Sequence, residues 1–277
     1  MALSRAQIDG FARDGFVSGI PALSPDEVRL FRDTAEAFER AHPAEARWAF
    51  DIKSNLMFDW VYENGRHPRI LDAVADLLGP DLLLTNSIFR IKEPGTSTNY
   101  GWHQDSARIA VNPCPVIVYV AFSEATPENG CLKVIPGTHH AVVPFELVSN
   151  PSQPNRRVAR VRDPDVERAV DLTLKPGEIA IFSANAVHGS PPNRSTARRF
   201  AVLHDYTPAA ARQTIGKGSG QLVRGQDRFG HFAPEPVPGP DFRTNAAMRR
   251  RVLKAYPENI LMGPLEPGQA PEFPDAA

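Results

Sequence analysis

The stretch Trp102-His103-Gln104-Asp105 is the part of the sequence around which we expect the fold to be arranged. Successive side chains of a β-strand point to opposite faces, so a strand here would direct His103 and Asp105 to one side and Gln104 to the other. An imidazole nitrogen beside a carboxylate oxygen is a suitable ligand pair for a divalent metal. A His-x-Asp tripeptide alone is a weak signal because it also occurs by chance, and a metal site needs a third ligand.

The best candidate for that third ligand is His188, which we predict in a loop after a strand. Two histidines and one carboxylate on one face of a metal form the triad of non-haem Fe(II) oxygenases. Other histidines have weaker claims. His139 and His140 are alternative ligands that we expect to cap or pack a turn, and His204 has the pattern of a hydrogen-bonded core residue.

Outward from this stretch, the sequence contains short apolar runs separated by turn residues. Residues 115–122 are rich in β-branched and aromatic side chains, as is typical of a strand buried on both faces. Residues 82–92 alternate with a period of two, which predicts that Leu82, Leu84, Asn86, Ile88, Arg90 and Lys92 share one face. Further short strands are predicted at 131–135, 179–182 and 200–203. This pattern favours a mainly β sandwich or barrel over a doubly wound sheet.

Helical patterns surround these strands. Ser24-Pro25-Asp26-Glu27 is a capping box that predicts a helix, and a second helix is expected from Pro68 to Leu78 with Gly79 as its end. Residues 144–170 lack a clear period and are interpreted as a lid or insertion. Residues 232–277 are rich in proline and are expected to wrap over the sandwich. With no repeat and no second core, we predict a single domain over 1–277.

The bulk composition excludes several function classes. A formal net charge of −1 offers no general attraction to nucleic acid or to an anionic membrane. No apolar run approaches the length of a membrane span, and no export signal is apparent at the start of the sequence. The two cysteines, Cys114 and Cys131, are therefore interpreted as reduced thiols in a cytoplasmic protein. The expected partner is a small molecule, and the oligomeric state is left open.

Two neutral imidazoles and one carboxylate leave three coordination positions of Fe(II) open, enough for a chelating 2-oxo acid and for dioxygen. Such a cosubstrate carries a second, distal carboxylate that an arginine fork grips better than lysine does. Arg199 lies 11 positions after His188 at the start of a predicted strand, which makes it the candidate, with the Ser190 hydroxyl as helper. Arg198 has the opposite parity and is expected to face outward.

With these residues in place, the chain resembles the phytanoyl-CoA dioxygenase family of Fe(II)/2-oxoglutarate oxygenases. The resemblance extends over about residues 10–231, and it rests on the segments Ile91-Lys92-Glu93-Pro94-Gly95, Trp102-His103-Gln104-Asp105, Asn129 to His139, and His188-Gly189-Ser190 with Asn193 and Arg199. It implies a double-stranded β-helix, that is, a jelly roll of two facing sheets with helices packed against one of them.

The resemblance also implies roles for individual residues. His103, Asp105 and His188 would hold Fe(II), Arg199 and Ser190 would bind the distal carboxylate of 2-oxoglutarate, and Lys92 and Tyr119 would line the same pocket. The implied reaction uses dioxygen, releases succinate and carbon dioxide, and oxidises a substrate C–H bond. Halogenating relatives have a small residue at the metal carboxylate position, so Asp105 favours hydroxylation. The expected substrate is a small metabolite or biosynthetic intermediate.

Two other function classes stay open at this point. One is a cupin-like metalloenzyme that uses Zn(II) or Mn(II) at the same three ligands, and such an enzyme would have no need of Arg199. The other is a non-catalytic small-molecule binding protein on the same scaffold, in which ligand binding would survive the loss of a triad residue.

Overall fold

The computed structural model describes residues 3–107, 109, 111–150 and 153–256. Within these ranges the α-helices are α1 (Arg5–Asp14), α2 (Pro25–Ala41), α3 (Pro43–Ala49), α4 (Asp59–Gly65), α5 (Pro68–Leu78) and α6 (Phe242–Ala255). The strands are β1 (Phe16–Pro21), β2 (Leu82–Lys92), β3 (Tyr100–His103), β4 (Val111–Asn112), β5 (Val116–Ala121), β6 (Leu132–Val134), β7 (Phe145–Asn150), β8 (Gln153–Val161), β9 (Val170–Leu172), β10 (Glu178–Ser183), β11 (His188–Ser190), β12 (Arg199–Pro208), β13 (Arg212–Gln213), β14 (Gly218–Arg224) and β15 (Phe232–Pro234).

Two sheets build the framework. The larger has seven strands in the order β1-β10-β5-β12-β2-β14-β15, and the smaller has four in the order β3-β11-β6-β9. An apolar cluster contains residues from both sheets, among them Tyr119 and Leu203 of the large sheet and Leu132 and Val134 of the small one. The two sheets therefore face each other, and the predicted jelly roll with helices against one sheet is confirmed.

The helices cover the outer face of the large sheet. The predicted capping box begins α2, since Ser24 and Glu27 bond reciprocally to each other's backbone. The ring of Phe31 on α2 stacks on Phe122, just after β5, with 3.9 Å between centroids. Helix α5 ends as predicted at Gly79, whose φ of 91° suits a residue without a Cβ. Burial of each large side chain in this layer contributes about 1.5–3 kcal/mol.

Strand β2 departs from the alternation that the sequence predicts. Leu84 packs in the core beneath the helices, whereas Ile88 packs between the sheets, although both have the same parity. The cause is a β-bulge at Thr85, which has no partner in the ladder with β12. The bulge reverses the faces of the strand, so Lys92 points between the sheets.

The stretch 144–170 contains a β-hairpin, β7-β8, and a short 3₁₀ turn, and it ends at the first residue of β9 in the small sheet. The base of the hairpin packs through Val161 against Ile135 and Val187. Residues 151–152 lie outside the described ranges, and a lid function for the hairpin stays a prediction.

The C-terminal segment contributes to both layers. Strand β15 extends the large sheet beside β14, and α6 packs on the helical layer, where Asn245 Nδ2 donates to the Met57 carbonyl at 2.9 Å. Residues 257–277 lie outside the described ranges, and the wrap of residues 232–277 over the sandwich stays a prediction. Among the described residues, no helix combines the length and the apolar character that a bilayer crossing demands. The single-domain assignment over 1–277 stays a prediction.

Candidate metal centre and carboxylate pocket

His103 and His188 lie directly opposite each other on two neighbouring antiparallel strands, β3 and β11. Their ring centroids are 4.2 Å apart. The prediction that His188 lies in a loop was wrong, because His188–Ser190 forms a three-residue strand between β3 and β6. The Gly, Ser and Pro residues that follow His188 are typical of loops, and they conceal so short a strand from pattern analysis.

Asp105 reaches the two histidines from a turn. Strand β3 ends at His103, and Asp105 begins a 3₁₀ turn, so the predicted strand alternation is not what brings the two residues together. One carboxylate oxygen, Oδ1, lies 3.4 Å from His103 Nε2, and the other, Oδ2, lies 3.4 Å from His188 Nε2. One ligand atom from each residue lies within 4.8 Å of those of the other two. Two nitrogens and a carboxylate oxygen thus converge.

Both imidazoles are held by backbone carbonyls in the tautomer that offers Nε2 to a metal. His103 Nδ1 lies 2.7 Å from the Gly101 carbonyl, and His188 Nδ1 lies 3.0 Å from the Ala186 carbonyl. A carbonyl oxygen only accepts hydrogen bonds, so each Nδ1 carries the proton and each Nε2 presents its lone pair towards Asp105. Burial lowers the pKa of His188 to about 4, helped by the neighbouring His103, so this ring is neutral at pH 7.

The side chain of Gln104 anchors the backbone between the two ligands. As predicted, it points away from them, and it is buried. Its Nε2 lies 2.9 Å from the Ala141 carbonyl and 2.5 Å from the Asn185 carbonyl, and its Oε1 accepts from Val143 N–H at 2.9 Å. Sequence analysis assigned no role to Gln104, because its partners lie in segments far away along the chain.

A second cluster surrounds Ser190, which ends the strand β11 that begins with His188. Lys92 and Arg199 are paired residues on β2 and β12, and both are almost completely buried. Lys92 Nζ contacts Ser190 Oγ at 2.5 Å and the Ser190 carbonyl at 3.0 Å, and Arg199 Nη1 donates to Ser190 Oγ at 2.9 Å. Arg199 also donates to the Gly130 carbonyl. The structure thus brings together Lys92, Ser190 and Arg199.

This cluster has an excess of positive charge. Within the described part of the chain, neither Lys92 nor Arg199 forms an ion pair with a carboxylate. Burial, together with the charge of the Arg199 guanidinium, lowers the pKa of Lys92 to about 7. Two buried cations side by side are unfavourable unless an anion joins them. The pocket therefore suits a carboxylate ligand.

Two polar atoms in the pocket also lack partners. Among the described residues, neither Arg199 Nε nor Tyr119 Oη has a hydrogen-bond partner, although both atoms are buried. The Arg199 guanidinium lies 5.9 Å from the centroid of the Tyr119 ring. Buried polar groups without partners cost about 1–3 kcal/mol each. A carboxylate in the pocket would accept from both groups, so the residues fit the distal end of 2-oxoglutarate.

The remaining candidates have structural partners. Arg198 points away from the pocket, as its parity predicts, and its Nη2 pairs with Glu39 Oε2 on α2 at 2.7 Å. His204 is buried between the Ser87 hydroxyl and the Asn64 side chain. His139 Nε2 lies 3.3 Å from the Ala12 carbonyl.

Comparison with known proteins shows which sequences and structures the chain is similar to. A family model described as "Phytanoyl-CoA dioxygenase (PhyH)" matches residues 11–201, a range that includes the triad and Arg199. The chain is similar to a Caenorhabditis elegans protein described as "Probable phytanoyl-CoA dioxygenase", with 28% identity over 156 residues that cover 53% of this chain and 50% of that protein. It is also similar to a Rattus norvegicus protein described as "Phytanoyl-CoA dioxygenase, peroxisomal", with 25% identity over 207 residues that cover 72% of this chain and 61% of that protein.

The chain therefore spans between 50% and 61% of the length of these two relatives. Among solved structures, one described as "non-heme monooxygenase; ThoJ apo" is similar with a TM-score of 0.81 and 30% identity. The similarity covers 92% of this chain and 97% of that chain, so the two share one fold over nearly their whole length.

Proposed function

The chain belongs to the phytanoyl-CoA dioxygenase family, and on this premise we propose that it is an Fe(II)- and 2-oxoglutarate-dependent dioxygenase. Its substrate is proposed to be a small metabolite or biosynthetic intermediate in which a C–H bond is hydroxylated or otherwise oxidised. When bound, Fe(II) and 2-oxoglutarate supply the oxidising chemistry, in which dioxygen converts the cosubstrate to succinate and carbon dioxide.

His103, Asp105 and His188 would hold the iron. One ligand atom from each residue lies within 4.8 Å of the others, and three protein ligands would leave coordination positions for the cosubstrate and dioxygen. The backbone carbonyls of Gly101 and Ala186 keep both imidazoles in the metal-binding tautomer. Such hydrogen bonds beyond the ligands typically contribute 10- to 100-fold to metal affinity or activity.

Arg199, Lys92 and Ser190 would bind the distal carboxylate of 2-oxoglutarate, with Tyr119 on the same wall. The single observation that carries the proposal is the pair of buried cations, Lys92 and Arg199, without an acidic partner in the described part of the chain. A Zn(II) or Mn(II) enzyme that uses no 2-oxo acid has no need of such a pocket. Lys92, Ser190 and Arg199 would orient the cosubstrate by holding its distal carboxylate.

Asp105 also bears on the type of reaction. In halogenating relatives a small residue stands at this position and leaves room for a halide beside the metal. Here a carboxylate contacts both histidines, so we propose oxygenation of the substrate, with a product that gains one oxygen atom and no halogen.

The proposal is tested by anaerobic titration with Fe(II) and 2-oxoglutarate. The wild type is expected to develop the weak visible charge-transfer band of a 2-oxo acid chelated to iron. Arg199→Ala is expected to bind Fe(II) normally but to need on the order of 10- to 100-fold more 2-oxoglutarate, because a charge-assisted hydrogen bond is lost. Arg198→Ala is the matched control, since Arg198 pairs with Glu39 on the opposite face.

Absence of the band in wild-type protein with full iron occupancy would contradict the proposal and favour a metalloenzyme of another class. Equal 2-oxoglutarate affinity in wild type and Arg199→Ala would contradict the pocket assignment.

A further inference from the structure

The carboxyl group of Asp205 lies on the sheet face that lines the site, at the end away from Arg199. Along β12, Ala201 and Leu203 pack between the two sheets, whereas Phe200 packs beneath the helices. Asp205 has the parity of Arg199, Ala201 and Leu203, so it faces the small sheet as they do. It is only 9% exposed.

Asp205 faces the candidate metal centre. Burial, together with the nearby Asp105 carboxylate, raises the pKa of its carboxyl group to about 7, against the lowering effect of a hydrogen bond from Asn86. Asp105 and Asp205 are thus close enough for their charges to interact. Because Arg199 begins β12 and Asp205 lies towards its other end, Asp205 faces the site at the end away from the carboxylate pocket.

Asn86 fixes the direction of the Asp205 carboxyl group. The Lys53 backbone N–H donates to Asn86 Oδ1 at 2.8 Å, so the amide must turn its Nδ2 towards Asp205. Asn86 Nδ2 donates to Asp205 Oδ2 at 3.0 Å. This arrangement leaves Asp205 Oδ1 to accept from a ligand.

The cations around Asp205 have other contacts. Lys53 Nζ is buried against Glu235 in an ion pair and also donates to the Ser219 carbonyl at 3.3 Å. The Arg90 guanidinium lies 5.2 Å from the centroid of the Tyr100 ring. In the described ranges, neither cation forms an ion pair with Asp205.

An apolar residue at this position would pack without the cost of burying a carboxyl group. A buried carboxyl beside a metal site with one fixed oxygen and one available oxygen is therefore a candidate for ligand binding. We propose that Asp205, oriented by Asn86, binds a basic nitrogen group of the substrate at the end of the site away from the carboxylate pocket. This inference rests on the proposed function and specifies its substrate as an amine.

The test compares two probes of equal length, n-butylammonium and n-butanol, on protein loaded with Zn(II) and 2-oxoglutarate. Binding is measured by saturation-transfer NMR at about pH 8, where the amine is still protonated and most of the Asp205 carboxyl is ionised. Zn(II) occupies Asp105 and so prevents the probe from binding there. The wild type is expected to bind n-butylammonium roughly tenfold more tightly than n-butanol, as one charged hydrogen bond supports.

Asp205→Asn keeps an acceptor for Asn86 but removes the charge, and it is expected to abolish the preference for the amine. Asp33→Asn removes the same charge from an exposed position on α2, and this variant is expected to keep the preference for the amine. No preference in the wild type, or an undiminished preference in Asp205→Asn, would overturn the inference.

Uptake of 2-oxoglutarate is followed separately by the loss of its free NMR signals. If the Zn(II)-loaded protein fails to bind 2-oxoglutarate, the proposed function is contradicted. If it binds 2-oxoglutarate but does not prefer the amine, this inference alone is contradicted.

Discussion

Lys92 on β2 and Arg199 on β12 lie directly opposite each other, and both donate to the hydroxyl oxygen of Ser190, at 2.5 Å and 2.9 Å. Paired residues of an antiparallel ladder point to the same face, so two cations share one buried pocket. The two cations repel each other, and one carboxylate of a bound dicarboxylate would offset this repulsion.

The lowered pKa of Lys92 predicts that binding of 2-oxoglutarate depends on pH. Below about 7 the Lys92 amine is charged and supports the carboxylate; above that value it loses its proton in the free protein. We therefore expect 2-oxoglutarate affinity to fall as pH rises above 7, by up to about tenfold per pH unit. Anaerobic titrations of the charge-transfer band at several pH values measure this dependence.

Lys92→Met is expected to bind 2-oxoglutarate more weakly and to lose this pH dependence. Lys175→Met, which alters an exposed turn residue, is expected to retain it. An affinity that stays constant between about pH 7 and pH 9 in the wild type would contradict the placement of a titrating lysine against the cosubstrate.

Gln104 is predicted to control metal affinity without touching the metal. Gln104→Leu would leave the Ala141 and Asn185 carbonyls and the Val143 N–H without their partner. The turn that carries Asp105 would then lose its anchor, and we expect metal affinity to fall by about 10-fold or more, as is typical for groups that orient ligands.

Competition of the protein with a chelator for Co(II) measures this affinity, and circular dichroism checks the fold. Gln226→Leu, at an exposed position, is the control. If Gln104→Leu folds and binds Co(II) as tightly as the wild type, the anchoring role is wrong.

Gly130 is predicted to be required for the shape of the carboxylate pocket. Its carbonyl accepts from Arg199 and, at 2.9 Å, from Ser190 Oγ. Its φ is 74°, and an added Cβ would lie 2.2 Å from the Pro191 carbonyl oxygen, which is a severe clash with backbone.

Gly137 provides a matched comparison, because its φ is 76° but an added Cβ would approach no closer than 3.9 Å to the Arg13 carbonyl oxygen. Gly137→Ala is expected to lower the free energy of unfolding by about 1–2 kcal/mol from backbone strain alone. Gly130→Ala should lower it further and should also weaken 2-oxoglutarate binding. The free energies of unfolding are measured by urea denaturation. If Gly130→Ala and Gly137→Ala lose the same amount, the clash near Pro191 does not destabilise the fold and the prediction is wrong.

Sequence analysis was most successful where a residue's own chemistry carried the signal. His103 and Asp105 alone were a weak signal, but His188 and Arg199 strengthened it, and the structure brings the three candidate ligands together. Capping residues act over four positions, so the start of α2 at Ser24 was also predictable.

The missed features depend on contacts between distant segments. The bulge at Thr85 depends on the register of β2 against β12, which the alternation of one strand does not encode. The predicted end of a strand at Leu203 was wrong, because β12 continues to Pro208 through His204 and Asp205. Both polar side chains stay buried through hydrogen bonds to partners on other segments, such as Ser87 and Asn86. Hydropathy along a single strand does not reveal such partners.

The most direct test of the account is the amount of succinate formed from 2-oxoglutarate in air by protein loaded with Fe(II). Wild-type protein is expected to release succinate and carbon dioxide in equal amounts, with or without the true substrate, and to stop when either iron or dioxygen is withheld. Asp105→Ala should release none, since the triad loses its only carboxylate. Unchanged succinate formation by Asp105→Ala, or none by iron-loaded wild type supplied with a broad pool of metabolites, would contradict the assignment of these residues to an oxygenase centre.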